Sequence, residues 1–199
     1  MDRAPRRAAA DSPSERRATH WLLFGLLSGT IVVADQLTKI WVDASFPVAW
    51  TSRPVPGLAA PSPVIGDLVR IAKTYNDGGL FGLFDAAAPV LALASLVVVG
   101  LIVLYEARVG LRSWPLTLAL GLLLGGAVGN LLDRLRYGHV VDFVDAGLGD
   151  LRWYTFNVAD AAISVSIVLL IGLSLLGDRL ERRAPAATSE PAAAPGSGR

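Results

Sequence analysis

Two short segments of a mostly apolar sequence carry carboxylates that could do chemistry together. Asp142 lies in "GHVVDF" and Asp160 lies in "FNVAD", and the chain between them is long enough to fold back as a hairpin. Two carboxylates held close together do not both ionise readily, so one keeps a proton, and the pair can activate water and protonate a leaving amine. The alternative is that both are ordinary interfacial acids that cap helices.

Two asparagines accompany these acids. Asn157 stands three residues before Asp160, which places the two side chains on one face of a helix. Asn157 is also a suitable helix N-cap, a position that asparagine favours. Asn76 lies in "TYNDGGLFG", where it could contact a substrate or belong to a hairpin turn. Both interpretations of each asparagine are open at this stage.

Further polar groups interrupt the apolar segments. Asp35 lies in "ADQLTK", and Asn130, Asp133 and Arg134 lie in "GNLLDR". Ionisable groups at membrane depth are costly and usually functional. We expect Asp133 and Arg134 to support a site, with the partner of Arg134 elsewhere, because adjacent helical residues do not face each other. Asp35 could snorkel beside Lys39, but its depth favours bonding inside a helix bundle.

Three glycines, Gly121, Gly125 and Gly129, recur at every fourth position. Small residues at this spacing allow helix backbones to approach closely in a membrane. We expect this stripe to be a packing surface that brings the neighbouring polar side chains into contact with other helices.

The composition excludes several kinds of site. The chain has 199 residues, of which 53% are hydrophobic and 18% charged, with a net charge of +1. The near-neutral charge argues against binding to nucleic acid. The chain has no cysteine, which excludes disulfides and thiolate chemistry, and its 2 histidines are far apart, which argues against a histidine-based zinc site.

Four segments are apolar enough to cross a bilayer, whose ~30 Å core needs about 20 helical residues. They are residues 20–42, 87–105, 115–136 and 156–177, the third opening with Pro115 in its first turn. The sequence therefore predicts an all-α membrane protein with four transmembrane helices. Apolar and polar residues alternate in "DLVRIAK", a pattern typical of a β-strand. The sequence therefore also predicts a small extracytoplasmic β-sheet or hairpin, within residues 46–84, between the first two helices.

Arginines set the expected topology. They precede the first segment, separate the second from the third and follow the fourth, so both termini should be cytoplasmic and residues 43–86 and 137–155 extracytoplasmic. We expect a membrane domain over residues 20–178. The flanking residues 1–19 and 179–199 are poor in large apolar side chains, and we expect them to be disordered and cytoplasmic.

The motifs "ADQLTK", "NDGGLFG", "GGAVGNLLDR", "GHVVDF" and "FNVADAAI" occur in that order over residues 21–176. Together they resemble the lipoprotein signal peptidase family, the type II signal peptidases of bacteria. The resemblance implies a metal-free, cofactor-free intramembrane aspartyl protease of the inner membrane. Its substrate would be a diacylglyceryl-modified prolipoprotein, cut before the lipid-bearing cysteine.

The resemblance also assigns residues. It implies that the catalytic aspartates are Asp142 and Asp160. The supporting residues that match the family's motifs are Asp35, Asn76, Gly78, Asn130, Arg134 and Asn157, and we assign Asp133 to the scaffold. One departure is that Gly79 and Leu80 stand where the family usually has two alanines, which bears on substrate or inhibitor fit.

We expect membrane lipid and the prolipoprotein to be the partners, with no nucleic acid and a monomeric chain. Two other classes compete with the protease. A small transporter would also carry buried charges, but the charges here gather at one membrane face and no inverted repeat is visible. A non-catalytic membrane subunit would be held together by the glycine stripe. Cleavage of a lipidated substrate would indicate the protease, ion flux without cleavage the transporter, and neither activity the non-catalytic subunit.

Overall fold

The computed structural model describes residues 13–51, 54–77, 88–109 and 113–183. It contains four helices, α1 (Pro13–Ser45), α2 (Ala88–Val109), α3 (Trp114–Tyr137) and α4 (Val158–Arg183). All four are long and apolar enough to cross a membrane, as the sequence predicted. Gly78, Gly79 and Leu80 lie outside the described residues.

Helices α1 and α4 extend beyond the predicted membrane domain. Residues 13–19 are helical, although the sequence analysis expected disorder up to residue 19, and α4 continues to Arg183. In α1, Pro13 stands at the helix start and Glu15 in the first turn, both favourable positions. Adding helical residues to an existing helix costs far less than nucleating one, so the polar flanks continue the apolar helices.

Helix α3 is the centre of the bundle and packs against the other three helices. Half of its most apolar window is buried, compared with at most 17% for the other helices. The glycine stripe accounts for its contact with α1, since a Cβ on Gly125 would lie 2.7 Å from Cβ of Ile31. The predicted packing role of the stripe is confirmed. A further glycine, Gly126, lies against the backbone of α4 at Ala159.

A buried polar chain joins three helices at the end of the bundle opposite the sheet. The hydroxyl of Thr117 donates to Oε1 of Glu106 at 2.9 Å, and Nδ1 of His20 lies 3.0 Å from the same hydroxyl oxygen. These residues belong to α3, α2 and α1 respectively. The chain therefore links α1 and α2 through α3.

The predicted sheet is present but larger than expected. It has four antiparallel strands in the order β1 (Ser62–Ile65), β2 (Val69–Asn76), β3 (Val140–Leu148) and β4 (Leu151–Arg152). Half of its strands come from the segment between α3 and α4, which the sequence analysis treated as a loop. Asp142 therefore lies on a strand.

A left-handed glycine makes the turn from α3 into β3. Gly138 has φ of 76°, and its N–H donates to the carbonyl of Arg134 at 3.2 Å, which caps the helix. The chain then enters β3 two residues later. This turn brings the "VVDF" motif back over the end of α3.

Candidate active site

Asp142 lies on β3 and is 3% exposed. The side-chain amide of Asn157 donates to its Oδ1 at 2.7 Å, and the amide of Asn76, on the paired strand β2, donates to its Oδ2 at 3.1 Å. Asn76 and Asp142 belong to neighbouring antiparallel strands, and that pairing places the amide beside the carboxylate. Both carboxylate oxygens of Asp142 therefore accept an amide hydrogen bond.

Asp160 lies in the first turn of α4 and is half-buried. Asn157 caps this helix, because its Oδ1 accepts the N–H of Asp160 at 2.9 Å and its own N–H donates to Oδ2 of Asp160 at 3.3 Å. The side-chain amide of Asn130 donates to the other oxygen, Oδ1, at 2.7 Å. Asn157 thus caps α4 and contacts Asp142 as well, so its two interpretations are compatible.

The electrostatic environment of Asp142 favours its protonated form. Burial away from water raises its pKa, and the neighbouring charge of Asp160 raises it further. The amides of Asn76 and Asn157 and the charge of Lys39 oppose this effect, and the pKa of Asp142 is raised to about 7. A carboxyl with this pKa can both hold and release a proton near neutral pH.

A buried ion cluster lies below the two aspartates. The ammonium group of Lys39 lies 2.8 Å from Oδ2 of Asp35 and 2.9 Å from Oδ2 of Asp133, and all three side chains are buried. Asp35 also accepts the backbone N–H of Ala159 at 2.9 Å, beside Asp160 in sequence. Asp35 is therefore bonded inside the bundle, as expected.

Asp133 contacts the scaffold around the aspartate pair. It accepts hydrogen bonds from the side chain of Gln36 at 2.8 Å and from the backbone N–H of Val141 at 3.2 Å. Val141 immediately precedes Asp142, so Asp133 fixes the start of β3 to α3. Among the described residues, the partners of Asp133 are Gln36, Val141 and Lys39, and it is not hydrogen-bonded to Asp142 or Asp160.

Arg134 lies within electrostatic range of three carboxylates, those of Asp160, Asp142 and its neighbour Asp133. Its guanidinium donates to the carbonyl of Asn130 at 3.4 Å and interacts electrostatically with Asp160 and Asp142. It therefore brings positive charge to the side of the pair that faces α3.

The structure brings together the predicted site residues that it describes, Asp35, Asn76, Asn130, Asp133, Arg134, Asp142, Asn157 and Asp160. The structure adds two residues to the site that were not predicted from the sequence, Lys39 and Gln36. Lys39 lies one helical turn after Asp35, a spacing that places both on one face, and this was the available signal. For Gln36 the only signal was its place inside the "ADQLTK" motif.

Four membrane-spanning helices with an aspartate pair at one end of the bundle define a polytopic membrane enzyme equipped for acid–base chemistry. The family model for signal peptidase (SPase) II matches residues 27–176. The chain belongs to this family of proteases, and the aspartate pair fits its aspartic class.

Sequence relatives agree with this assignment, and a solved structure shares the fold. The lipoprotein signal peptidase of Syntrophus aciditrophicus is 35% identical over 156 residues, covering 75% of this chain and 90% of the relative. That of Xylella fastidiosa strain M12 is 34% identical over 178 residues, covering 87% and 98%. A bacterial membrane enzyme solved at 2.3 Å resolution shares the fold, with a TM-score of 0.66, 22% identity and coverage of 82% of this chain and 93% of that one.

Proposed function

We propose that the protein is an aspartic endopeptidase that removes the signal peptide from diacylglyceryl-modified prolipoproteins, cutting before the lipid-modified cysteine. The observation that carries this proposal is the bridge made by Asn157. Its side chain donates to Asp142 while its backbone N–H donates to Asp160. One residue thereby holds both carboxylates in a fixed relation, as a reaction that needs an acid and a base requires.

The two aspartates start the reaction in different protonation states. Asp142 holds the proton, because burial and the neighbouring carboxylate raise its pKa to about 7. We assign the role of the base to Asp160, which accepts hydrogen bonds from the amide of Asn130 and the backbone N–H of Asn157 and interacts with the positive charge of Arg134. Unequal environments of this kind separate the roles of two identical side chains.

Hydrolysis then proceeds through a tetrahedral intermediate. Asp160 removes a proton from a water molecule whose oxygen attacks the scissile carbonyl carbon, while Asp142 gives its proton to the carbonyl oxygen. The resulting diol collapses as the C–N bond breaks. The leaving nitrogen takes the proton now held by Asp160, and a diol hydroxyl returns a proton to Asp142. Both side chains end in their starting states.

The supporting residues hold this pair in place. Lys39, Asp35 and Asp133 fix α1 to α3 beneath the site, and Asn130 connects that cluster to Asp160. Asn76 ends β2 and donates to Asp142. We assign Gly78, two residues further along the sequence, to contact with the substrate. We assign a monomeric enzyme, because the proposed reaction needs no residue of a second chain.

The membrane orientation follows from the arginine distribution. We assign both termini to the cytoplasm and the sheet, with the aspartate pair, to the extracytoplasmic face. A lipid-bearing substrate would approach laterally through the bilayer, whereas water would reach the pair from the interface. The metal-free chemistry proposed above uses only carboxylates and amides of this chain.

The test is cleavage by the purified protein in detergent or bilayers. The substrate is a prolipoprotein carrying a diacylglyceryl cysteine, and the control is the same prolipoprotein without the lipid. The proposal predicts cleavage of the lipidated substrate immediately before its cysteine. Ion flux into liposomes without cleavage would indicate a transporter instead of a protease. The absence of both activities would indicate a non-catalytic structural subunit.

A further inference from the structure

The end of the sheet farthest from Asp142 consists of two hairpin turns lying side by side. We call residues 64–68 and 148–151 the sheet tip. The N–H of Gly147 donates to the carbonyl of Leu68 at 2.9 Å, and the N–H of Gly149 donates to the side chain of Asp67 at 2.7 Å. These bonds join the two turns into one rigid end.

The arginines beside the sheet tip are paired with aspartates, and the tip itself carries one further charged side chain, the exposed Asp150. Buried Asp145 bonds both Arg70 and Arg152, at 2.8 Å through their Nε atoms, and Arg152 also donates to the carbonyl of Asp67 at 2.7 Å. Asp67 in turn pairs with Arg70 at 3.2 Å. The tip therefore presents a surface whose arginines are neutralised within the sheet.

The outer surface of the tip is apolar and highly exposed. Leu151 is 84% exposed and Leu148 is 68% exposed, and Trp153, just beyond β4, is 74% exposed. Leu151 exceeds every large hydrophobic side chain on the four helices, where the highest described value is 70%, at Val168. Apolar side chains clustered at this exposure mark a surface that another apolar phase covers.

Two contacts attach β3 to the end of the bundle. Near its start, the N–H of Val141 donates to Asp133 of α3 at 3.2 Å. In its middle, Val144 exchanges backbone hydrogen bonds of 2.8 and 3.1 Å with Phe156, two residues before α4. The strand therefore lies at the end of the bundle, where it contacts α1 and α3. With about 3.3 Å per residue, it carries Leu148 about 13 Å beyond Val144.

From this geometry we propose that the sheet tip is a membrane-surface anchor whose occupant is the interfacial zone of the bilayer beside α4. The strand that carries the tip is hydrogen-bonded to Phe156, two residues before α4, so the tip extends from the end of the bundle at which that helix begins. A tryptophan beside leucines and neutralised charges matches the chemistry of the headgroup region and the first acyl carbons. The anchor fixes the depth of β3, and therefore of Asp142, relative to the membrane.

The chain contains no cysteine, so a single introduced thiol can be labelled selectively. We would place a nitroxide at Leu151→Cys and, as the matched control, at Asp150→Cys in the same turn. With the full chain in phospholipid nanodiscs, accessibility to oxygen reports lipid and accessibility to a water-soluble nickel chelate reports water. The proposal predicts an oxygen-to-nickel ratio several-fold higher at position 151 than at position 150.

Two outcomes would overturn the anchor. Nickel-dominated accessibility at both positions would mean that the tip stands in water. Protection of position 151 from both reagents would mean that a second copy or another protein covers it. An independent measurement is the absolute tryptophan fluorescence that brominated phospholipids remove from the parent and from Trp153→Phe. The proposal predicts a larger loss in the parent, and an equal loss in the two would contradict it.

Discussion

The ammonium group of Lys39 donates to Oδ1 of Asn130 at 2.9 Å, and this contact orients the Asn130 amide towards Asp160. With its oxygen occupied by Lys39 and by the side chain of Asn157, Asn130 presents its NH₂ group to the carboxylate. A cation buried in the bundle thus determines which group faces Asp160. The two carboxylates that surround Lys39, Asp35 and Asp133, are in turn held by it.

Replacing Lys39 with Met should destabilise the protein strongly. The substitution leaves Asp35 and Asp133 buried without their cation, which costs about 3–5 kcal/mol. The control is Lys73→Met, which removes a buried lysine whose only ion-pair partner in the described residues, Asp43, is 51% exposed and can be hydrated, so its loss should be smaller than that of Lys39→Met. Thermal unfolding in detergent measures both. Equal melting temperatures for Lys39→Met and the parent would refute the importance of this cluster.

The Asn76→Ala variant tests the assignment of the proton to Asp142. The amide of Asn76 lowers the pKa of Asp142, so its removal should raise that pKa further above its ordinary value. If Asp142 must be protonated, activity falls as pH rises through its pKa of about 7, and the variant should shift this alkaline limb upward. A pH profile of kcat/KM measures the shift.

Thr74→Val is the control for that profile. Thr74 lies on the same strand but contacts only the backbone carbonyl of Asp142, at 3.5 Å. Its alkaline limb should match the parent's. If the alkaline limb shifts downward in Asn76→Ala, or shifts equally in both variants, the assignment of the proton to Asp142 is wrong.

Gly129→Ala should impair the site through α1 and α4. Its new Cβ would lie 2.7 Å from Oδ2 of Asp35 and 3.2 Å from Cβ of Ala159, so it would displace Asp35 from Lys39. Gly121→Ala is the matched control on the same helix, since its Cβ would meet only the flexible end of Leu27, at 3.2 Å. We expect lower cleavage and a lower melting temperature for Gly129→Ala alone. Parental behaviour of that variant would show that the close approach is unimportant.

The positions of the helices and the identity of the polar site were predictable because each depends on local sequence. Runs of apolar residues determine the spans, and Asn157 and Asp160 share a face through simple helical spacing. The strand β3 was not predictable in the same way. Its residues are mostly buried, so they lack the alternation of a half-exposed strand, and its partner β2 lies far away in sequence.

The role of Lys39 also depends on tertiary structure. Its spacing from Asp35 indicates an ordinary helical ion pair, whereas its contacts with Asn130 and Asp133 depend on the packing of α1 against α3. That packing depends on the glycine stripe. The sequence indicated the stripe and the charges separately, and the three-dimensional contact between them emerges only when the helices are assembled.

Asp133→Asn tests whether Asp133 has a structural role or takes part in the reaction. Asp133 accepts from Lys39, Gln36 and the N–H of Val141, and an asparagine side chain cannot accept through both of its terminal atoms. We expect a lower melting temperature but measurable single-turnover cleavage in the folded fraction. A variant that melts like the parent and does not cleave would instead place Asp133 in the reaction.

The central claim is that Asp142 and Asp160 together perform the hydrolysis. The most direct measurement is single-turnover cleavage of a lipidated prolipoprotein by purified Asp142→Asn and Asp160→Asn, with melting temperatures measured on the same samples. Burial and the charge of Asp160 raise the pKa of Asp142 to about 7, so its contribution to stability is lost as pH rises through that value. Asp142→Asn removes the unfavourable buried charge at alkaline pH but loses one of the two amide hydrogen bonds that Asp142 accepts, and we expect the variant to stay folded. The account predicts that both variants fold and that neither cleaves. Substantial cleavage by either folded variant would contradict it.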